Sequence, residues 1–227
     1  MPETVSPSLL LREVLALLYK ELSLEWKQQY ALNGLLLYVF SMVTVIALAA
    51  GADLPPLTWN LLYWVLVVFA AINAVAKSFI AEKGGHLLYL YTLARPAAII
   101  LAKLIYNSLL LFTVAALTLG TFVLLTGTGL PRPGLMIGLV ALGSAALSAT
   151  LTLLSAIAAK AENRTTLLAV LSFPLLVPTL LVLIRLSRIA VEGLDVPVDS
   201  DSLMLLSGIV VILTGVTVVL FPFVWRD

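Results

Sequence analysis

The chain has 227 residues, of which 62% are hydrophobic and only 11% are charged, and its formal net charge is +1. Globular domains carry about 25% charged residues, so this composition excludes a water-soluble domain and predicts an integral membrane protein. The near-neutral charge gives no electrostatic basis for nucleic-acid binding, and the absence of cysteine excludes disulfides, thiolate metal sites and covalent haem attachment.

The first predicted element is an amphipathic helix over residues 7–29. Ser6 followed by Pro7 is typical of a helix start, in which a serine cap precedes a first-turn proline. An apolar stripe at helical spacing consists of Leu11, Val14, Leu15, Leu18, Leu22 and Trp26. Because the charges lie on the opposite side, the pattern favours a helix in the membrane interface. Packing of this helix on neighbouring spans is the alternative.

Six further stretches are apolar enough to cross a bilayer, which takes about 20 residues. Since backbone polar groups in lipid must be paired internally, each stretch is predicted to be a helix. The predicted spans cover residues 30–50, 57–80, 97–126, 134–159, 166–186 and 204–224. The loops between them are short, so residues 1–227 are predicted to form a single all-α transmembrane domain.

The basic residues indicate how the spans are oriented. Six spans place both termini on one side of the membrane. With the N-terminus in the cytoplasm, only three of the 13 Lys and Arg residues lie outside, namely Arg132, Arg185 and Arg188. This distribution follows the positive-inside rule. We therefore expect a multi-pass membrane protein with both termini in the cytoplasm.

The segment between the second and third spans is neither a span nor an ordinary loop. Residues 79–96 read FIAEKGGHLLYLYTLARP. The two glycines disfavour a continuous helix, and the leucines and tyrosines after them suffice for two or three turns before the proline. So short an apolar helix favours either the lipid surface or a groove on another protein, and the residues leave both open. The candidate contact residues are Glu82, Lys83, Gly84, Gly85, His86, Leu87, Leu90, Tyr91, Arg95 and Pro96.

The fourth span contains small residues at four-residue steps. They are Ala141, Ala145 and Ala149, with Ser144 and Ser148 beside them. Because small residues at this spacing let helices approach closely, the pattern places the span inside the bundle or at a subunit contact.

The fifth span contains two prolines, Pro174 and Pro178. Each lacks an N–H, which leaves the carbonyls of Val170 and Pro174 without their usual helical partners. The helix is therefore expected to bend. The bend is either a hinge that lets the outer half of the helix move or a static kink, and both interpretations are kept.

The residues offer little chemistry for catalysis, cofactor binding or ion coupling. His86 is the sole histidine, and one imidazole rarely holds a metal, so we expect no catalytic set, no metal and no haem bound directly by this chain. The middles of the spans lack ionisable residues, which argues against ion-coupled transport. Lys103 lies near a span end, where it is expected to snorkel to the interface.

Four other side chains in the spans have structural interpretations. Trp59 and Trp64 are interpreted as anchors at the outer membrane interface. Asn73 and Asn107 are interpreted as partners in interhelical hydrogen bonds.

Three stretches read YKELSLEWKQQ (19–29), SFIAEKGGHLLYLYTLARPAAIILAKLIYN (78–107) and LSFPLLVPTLLVLI (171–184). In order and spacing they resemble the haem exporter protein B family, CcmB, whose members are permeases of the ABC-2 type. The family has an acidic-glycine-leucine stretch, a proline and a lysine entering span three, and two prolines in span five. The chain departs from the family after its glycines, where it reads His86-Leu87-Leu88-Tyr89 in place of an acidic residue.

The resemblance implies a permease subunit that is not itself an enzyme. It would couple ATP hydrolysis by a separate cytoplasmic ATPase, through residues 82–96, to haem delivery and release of the haem-loaded chaperone on the periplasmic side. The implied partners are a CcmA-like ATPase, which binds the ATP, a CcmC-like haem-handling membrane protein, a CcmE-like chaperone and a second copy of this chain. Two alternatives stay open: export of another amphipathic cargo, such as a lipid or drug, and a non-transporting membrane scaffold.

Overall fold

The computed structural model describes residues 7–28, 30–50, 54–80, 95–158, 164–197 and 199–226, and these residues form seven α-helices and no strand. The helices are α1 (Pro7–Gln28), α2 (Tyr30–Ala50), α3 (Pro56–Ile80), α4 (Pro96–Thr126), α5 (Pro133–Ala158), α6 (Arg164–Glu192) and α7 (Ser200–Arg226). Helices α2 to α7 are long and apolar enough to cross a membrane. The prediction of an all-α membrane protein with six spans is confirmed.

Helix α5 is the centre of the bundle. Within the span of α5, 72% of the residues are buried inside the chain, against 17% for α2 and 11% for α7. It contacts α3, α4, α6 and α7. Helices α2 and α7 therefore present most of their surface outward, and their exposed side chains are mainly apolar, as a lipid environment requires.

Helix α1 lies against the N-terminal part of α4. Val14 is buried in a small core with Ala98 and Ala102 of α4, and Leu18 packs against the same core. Leu11, Leu15 and Leu22 are exposed, and the side chain of Trp26 lies outside the described residues. The alternative that this helix packs on a neighbouring span is confirmed for one side of the stripe, while interfacial placement stays a prediction for the other. We call the end of the bundle at which α1 packs on Ala98 and Ala102 the α1 end. The opposite end, which contains Trp59, Thr126 and Arg132, is called the loop end.

Polar and aromatic side chains join α3 to α4 and α6 near the loop end. Trp59, Tyr63 and Trp64 are fully buried. Trp59 Nε1 donates to Thr126 Oγ1 of α4 at 3.0 Å, and Trp64 Nε1 donates to Ser187 Oγ of α6 at 2.7 Å. The prediction that both tryptophans anchor the chain at an interface is therefore wrong. Their indole N–H groups find partners inside the bundle, which removes the reason for an interfacial position.

Asn60 completes this set of contacts. Its Nδ2 donates to the carbonyl of Ile184 at 2.9 Å, and its Oδ1 lies 2.8 Å from the Ser187 hydroxyl. We call Trp59, Asn60, Tyr63 and Trp64, with their partners Thr126 and Ser187, the α3 latch. A glycine of α5, Gly143, lies against it: a Cβ there would be 2.9 Å from both the Trp64 ring and Leu183. The latch thus depends on a close approach of α3, α5 and α6.

Helix α6 is longer than predicted, since it continues past residue 186 to Glu192. Arg188 Nε lies 2.8 Å from Glu192 Oε1, one turn further along the helix, and this pair supports the last turn. The helix ends at Gly193, whose φ of 67° is a left-handed conformation that favours glycine. Arg185 and Arg188 therefore project from a helix and not from a loop.

Candidate functional site at the α1 end

Eight of the ten predicted coupling residues, from Glu82 to Tyr91, lie outside the described residues, whereas Arg95 and Pro96 are described and begin α4. Arg95 is extended, with φ −71° and ψ 142°, and Pro96 occupies the first turn. The Arg95 carbonyl accepts the N–H groups of Ala98 at 3.0 Å and Ile99 at 3.1 Å. The predicted coupling segment therefore leads directly into a regular helix of 31 residues.

Arg95 also contacts α1 through Glu13. The Arg95 Nε atom lies 3.8 Å from Glu13 Oε1, and the two side chains are 37% and 29% exposed. Glu13 Oε2 and Arg95 Nη1 are buried and make no hydrogen bond to the part of the chain that the structure describes. A pair this long and this exposed contributes at most about 1 kcal/mol to stability. Its importance is its position, because it joins α1 to the residue at which the predicted coupling segment ends.

Further along α4, polar side chains are buried against α5. Asn107 Nδ2 donates to Thr152 Oγ1 at 2.9 Å, which confirms the predicted interhelical hydrogen bond. Ser148 Oγ donates to the Leu104 carbonyl at 3.1 Å. Lys103, one turn before Asn107, is only 2% exposed, so the prediction that it snorkels to the interface is wrong. Helix α4 is therefore held to α5 by polar contacts in the half of the bundle nearer α1.

Three other residues for which the sequence predicts a role in the bundle face outward. Pro174 and Pro178 lie inside α6, which stays helical through both of them, and both side chains are exposed. The hinge interpretation of these prolines stays a prediction. Asn73 is also exposed, and its Nδ2 donates to the Phe69 carbonyl of its own helix at 2.9 Å. The predicted interhelical role is therefore wrong for Asn73.

The small residues of α5 divide into two groups. Ser144, Ser148 and Ala149 are buried, whereas Ala145 is half-buried and Ala141 is exposed. The three alanines line an open groove of about 490 Å³ between α4 and α7. Ala141, Ala145 and Ala149 therefore face a gap between α4 and α7.

At the loop end, Arg132 holds the α6–α7 segment against the α4–α5 turn. Its Nη2 lies 2.9 Å from Asp195 Oδ1, and its backbone N–H donates to the Ala190 carbonyl at 3.3 Å. Asp199 precedes α7, and the Ser202 hydroxyl donates to its carboxylate. This hydrogen bond lowers the pKa of the Asp199 carboxyl below its ordinary value. The loop end is thus connected across the chain by charge as well as by the α3 latch.

Sequence reasoning missed Glu13, the α3 latch and the groove. The signal at Glu13 was weak: it is a charge beside the apolar stripe of α1, and its partner is far away in the sequence. Asn60 and Ser187 stand in apolar helices, where a lone amide and a lone hydroxyl each predict an unnamed hydrogen-bond partner. The structure was needed only to show that Asn60 and Ser187 are each other's partners.

A family model described as CcmB protein matches residues 12–226 of the chain. The matched range includes Glu13, Arg95 and all six long apolar helices. No curated protein and no solved structure is a significant match.

Proposed function

The chain belongs to the CcmB family, and from this premise we propose that it couples ATP hydrolysis by a separate cytoplasmic ATPase to a periplasmic step of haem delivery. Membership of the family makes it a multi-pass membrane component of a haem-exporting ABC system for cytochrome c maturation. The coupling step itself is supported by one observation. Helix α4 runs unbroken from Arg95, where the predicted coupling segment ends, to Thr126 in the α3 latch.

The geometry of α4 suits it to transmit a displacement. Its 31 residues extend about 46 Å at 1.5 Å per residue, which exceeds the roughly 30 Å of the hydrocarbon core. Because packed helices shift as units, a push on residues 82–96 displaces α4 along its length. Helix α1 moves with it, since Val14 is buried against Ala98 and Ala102.

The output of this movement is proposed to lie at the loop end. There Thr126 connects α4 to α3, and Arg132 connects the α4–α5 turn to the α6–α7 segment. A change in the position of α4 therefore reaches the surface that faces the chaperone. Release of the haem-loaded chaperone is the step we assign to this surface.

The orientation and partners follow from the same proposal. The α1 end faces the cytoplasm and the loop end faces the periplasm of a bacterial inner membrane, as the distribution of basic residues predicts. Two copies of the chain act with a CcmA-like ATPase, a CcmC-like membrane protein and a CcmE-like chaperone. The chain has no catalytic role: the ATPase binds ATP, and the complex handles haem.

The test removes the docking contact and leaves the bundle intact. Glu82→Lys combined with Leu90→Asp should abolish co-purification of the ATPase and, in a deletion strain, cytochrome c maturation. The reason is that the double change reverses one charge and adds another to the apolar segment that enters the ATPase groove. Leu194→Asp is the matched control, because Leu194 is 39% exposed at the loop end. It should retain ATPase association.

Both variants must reach the membrane in equal amounts for this comparison. If the ATPase still co-purifies with the double variant, residues 82–96 are not its docking element and the coupling proposal fails. If association is lost but maturation continues, the chain does not act through the ATPase at all.

A further inference from the structure

Helix α3 is mostly buried, but one row of its side chains faces outward. Between Trp59 and Val75 every side chain is buried or half-buried except at four positions, which are spaced four residues apart. They are Leu61, Val65, Phe69 and Asn73, and exposed Leu57 continues the row towards the loop end. Residues four apart form one ridge along a helix. We call these five residues the α3 row.

Asn73 is the polar member of the α3 row, and it lies at hydrocarbon depth. Helix α3 has 25 residues and extends about 37 Å at 1.5 Å per residue. Its midpoint is Val68, and Asn73 is about 7.5 Å from that midpoint. Because the hydrocarbon core extends roughly 15 Å to each side of its centre, a centred α3 places the Asn73 amide inside it. Asn73 also belongs to the apolar span Pro56–Val75.

The Asn73 amide has more hydrogen-bonding capacity than its own helix uses. Its Nδ2 donates to the Phe69 carbonyl at 2.9 Å, whereas a primary amide offers two N–H donors and a carbonyl acceptor. Hydroxyls on the outer surface differ, since Thr113 and Thr121 each give their single O–H to a carbonyl one turn back. Asn73 is exposed, so its second N–H and its Oδ1 atom are accessible to a partner outside the bundle.

This amide decides what covers the α3 row. The apolar members of the row are satisfied equally by lipid chains and by protein. A hydrocarbon chain offers the Asn73 amide neither a donor nor an acceptor, and an amide without hydrogen bonds is costly in an apolar environment. The row is therefore matched by a transmembrane helix that carries both a donor and an acceptor at the depth of Asn73.

A second copy of the chain provides such a helix by symmetry. Two copies inserted with the same orientation are related by a two-fold axis along the membrane normal, and a two-fold contact uses the same surface on both subunits. The α3 row of one copy then meets the row of the other copy at equal depth. Because an amide both donates and accepts, two asparagines that face each other can exchange a pair of hydrogen bonds.

We propose that the α3 row is the contact between two copies of this chain, held by reciprocal hydrogen bonds between their Asn73 amides. The bonds join two chains and not two helices of one bundle. This inference rests on the proposed function only for the presence of two copies, and neither the ATPase nor haem takes part in it.

The test uses disulfide cross-linking of the full-length chain in membranes. The chain contains no cysteine, so a single introduced cysteine reports on its own equivalent in the second copy. Such a pair forms a disulfide when the two Cα atoms are within about 7 Å. After oxidation, Phe69→Cys and Val65→Cys should each give a covalent dimer on a non-reducing gel. Leu57→Cys should give less, because the contact is centred on Asn73.

The same two residue types are exposed on other helices and provide matched controls. They are Phe40 and Val45 of α2, and Phe173 and Val177 of α6. A cysteine at each of these four positions should give several-fold less covalent dimer than a cysteine in the α3 row. All variants are compared at equal amounts in the membrane.

The role of the amide is tested in the Phe69→Cys background. Asn73→Leu should lower the yield of covalent dimer by about threefold to tenfold, the equivalent of one hydrogen bond between membrane helices. Asn73→Gln keeps an amide and should retain most of the yield. Asn33→Leu makes the same change at an exposed asparagine at the first residue of the α2 span. It should leave the yield unchanged.

Three results would overturn the proposal. Equal or stronger cross-linking from α2 or α6 means that the copies meet through another face. A yield that is highest at Leu57, or that Asn73→Leu does not change, means that the amide does not hold the contact. Absence of cross-linking in the α3 row while two differently tagged copies co-purify means that a different helix covers the row.

The same preparations separate this inference from the proposed coupling. If differently tagged copies do not co-purify at all, both the α3 contact and the two-copy part of the proposed function fail. Association of the ATPase is then measured in that preparation, and its presence leaves the coupling proposal standing without the α3 contact.

Discussion

The two ends of the bundle are held together in different ways. At the loop end, the α3 latch buries Trp59, Asn60 and Trp64 completely, and their hydrogen bonds to α4 and α6 are 2.7 to 3.0 Å long. At the α1 end, α1 and α4 share the Glu13–Arg95 pair at 3.8 Å, and this pair leaves Glu13 Oε2 and Arg95 Nη1 without hydrogen-bond partners among the described residues.

This difference indicates which parts can change position at low cost. Breaking the latch exposes indole and amide groups to an apolar interior, where an unsatisfied polar group costs about 1–3 kcal/mol. Separating Glu13 from Arg95 costs less, because both side chains are partly solvated. The polar connection between α1 and α4, at the end proposed to meet the ATPase, is therefore weaker than the connections of the α3 latch.

The largest loss of stability is expected from a substitution at Gly143, which would separate the helices that form the α3 latch. Gly143→Ala puts a Cβ 2.9 Å from the Trp64 ring and Leu183, which are both fully buried. We expect a loss of about 1–3 kcal/mol from overpacking, measured as a lower unfolding midpoint in detergent. Gly138→Ala is the control, since a Cβ there meets nothing within 4 Å. It should raise stability by about 0.5–1 kcal/mol through helix propensity. Equal effects at the two glycines would show that the close approach of α5 to the latch is not real.

A smaller loss of stability is expected when one hydroxyl is removed from the α3 latch. Ser187→Ala leaves Trp64 Nε1 without an acceptor and takes one partner from Asn60 Oδ1. We expect a loss of about 1–2 kcal/mol, because a buried donor left without an acceptor costs about 1–3 kcal/mol. Ser207→Ala provides the comparison: the Ser207 hydroxyl is exposed and donates to the Met204 carbonyl of its own helix. Its stability should change by less than about 0.5 kcal/mol. A latch that tolerated Ser187→Ala equally well would not be the firmer end.

The smallest effect on stability, and the sharpest on coupling, is expected at the α1 end. Arg95→Glu places two carboxylates together and should cost no more than about 1 kcal/mol of stability. It should nevertheless lower cytochrome c maturation, because α1 and the predicted coupling segment are no longer held together. The exchange Glu13→Arg with Arg95→Glu should restore maturation. Arg12→Glu changes the net charge equally at an exposed neighbouring position and should have no such effect. Failure of the exchange to restore maturation would assign Arg95 a role without Glu13.

Part of this organisation was accessible from the sequence. Long apolar stretches predict spans because the transfer of each residue into lipid depends on that residue and its near neighbours. The same holds for Asn107, a polar group in an apolar helix that must find a partner. Prediction from the sequence failed for Trp59 and Trp64, since a position near a helix end does not reveal whether a side chain faces lipid or another helix. It failed in the same way for Lys103, which is buried and not directed to the interface.

By itself, the sequence determined that this chain crosses a membrane six times and carries an additional amphipathic helix, and its motifs identified the family. Which side chains meet was decided only by the tertiary structure. Glu13 and Arg95, Trp64 and Ser187, or Asn107 and Thr152 are distant in the chain, and their contacts depend on the rotation of each helix about its axis. That rotation is set by packing among all the helices at once, so no local pattern of residues encodes it.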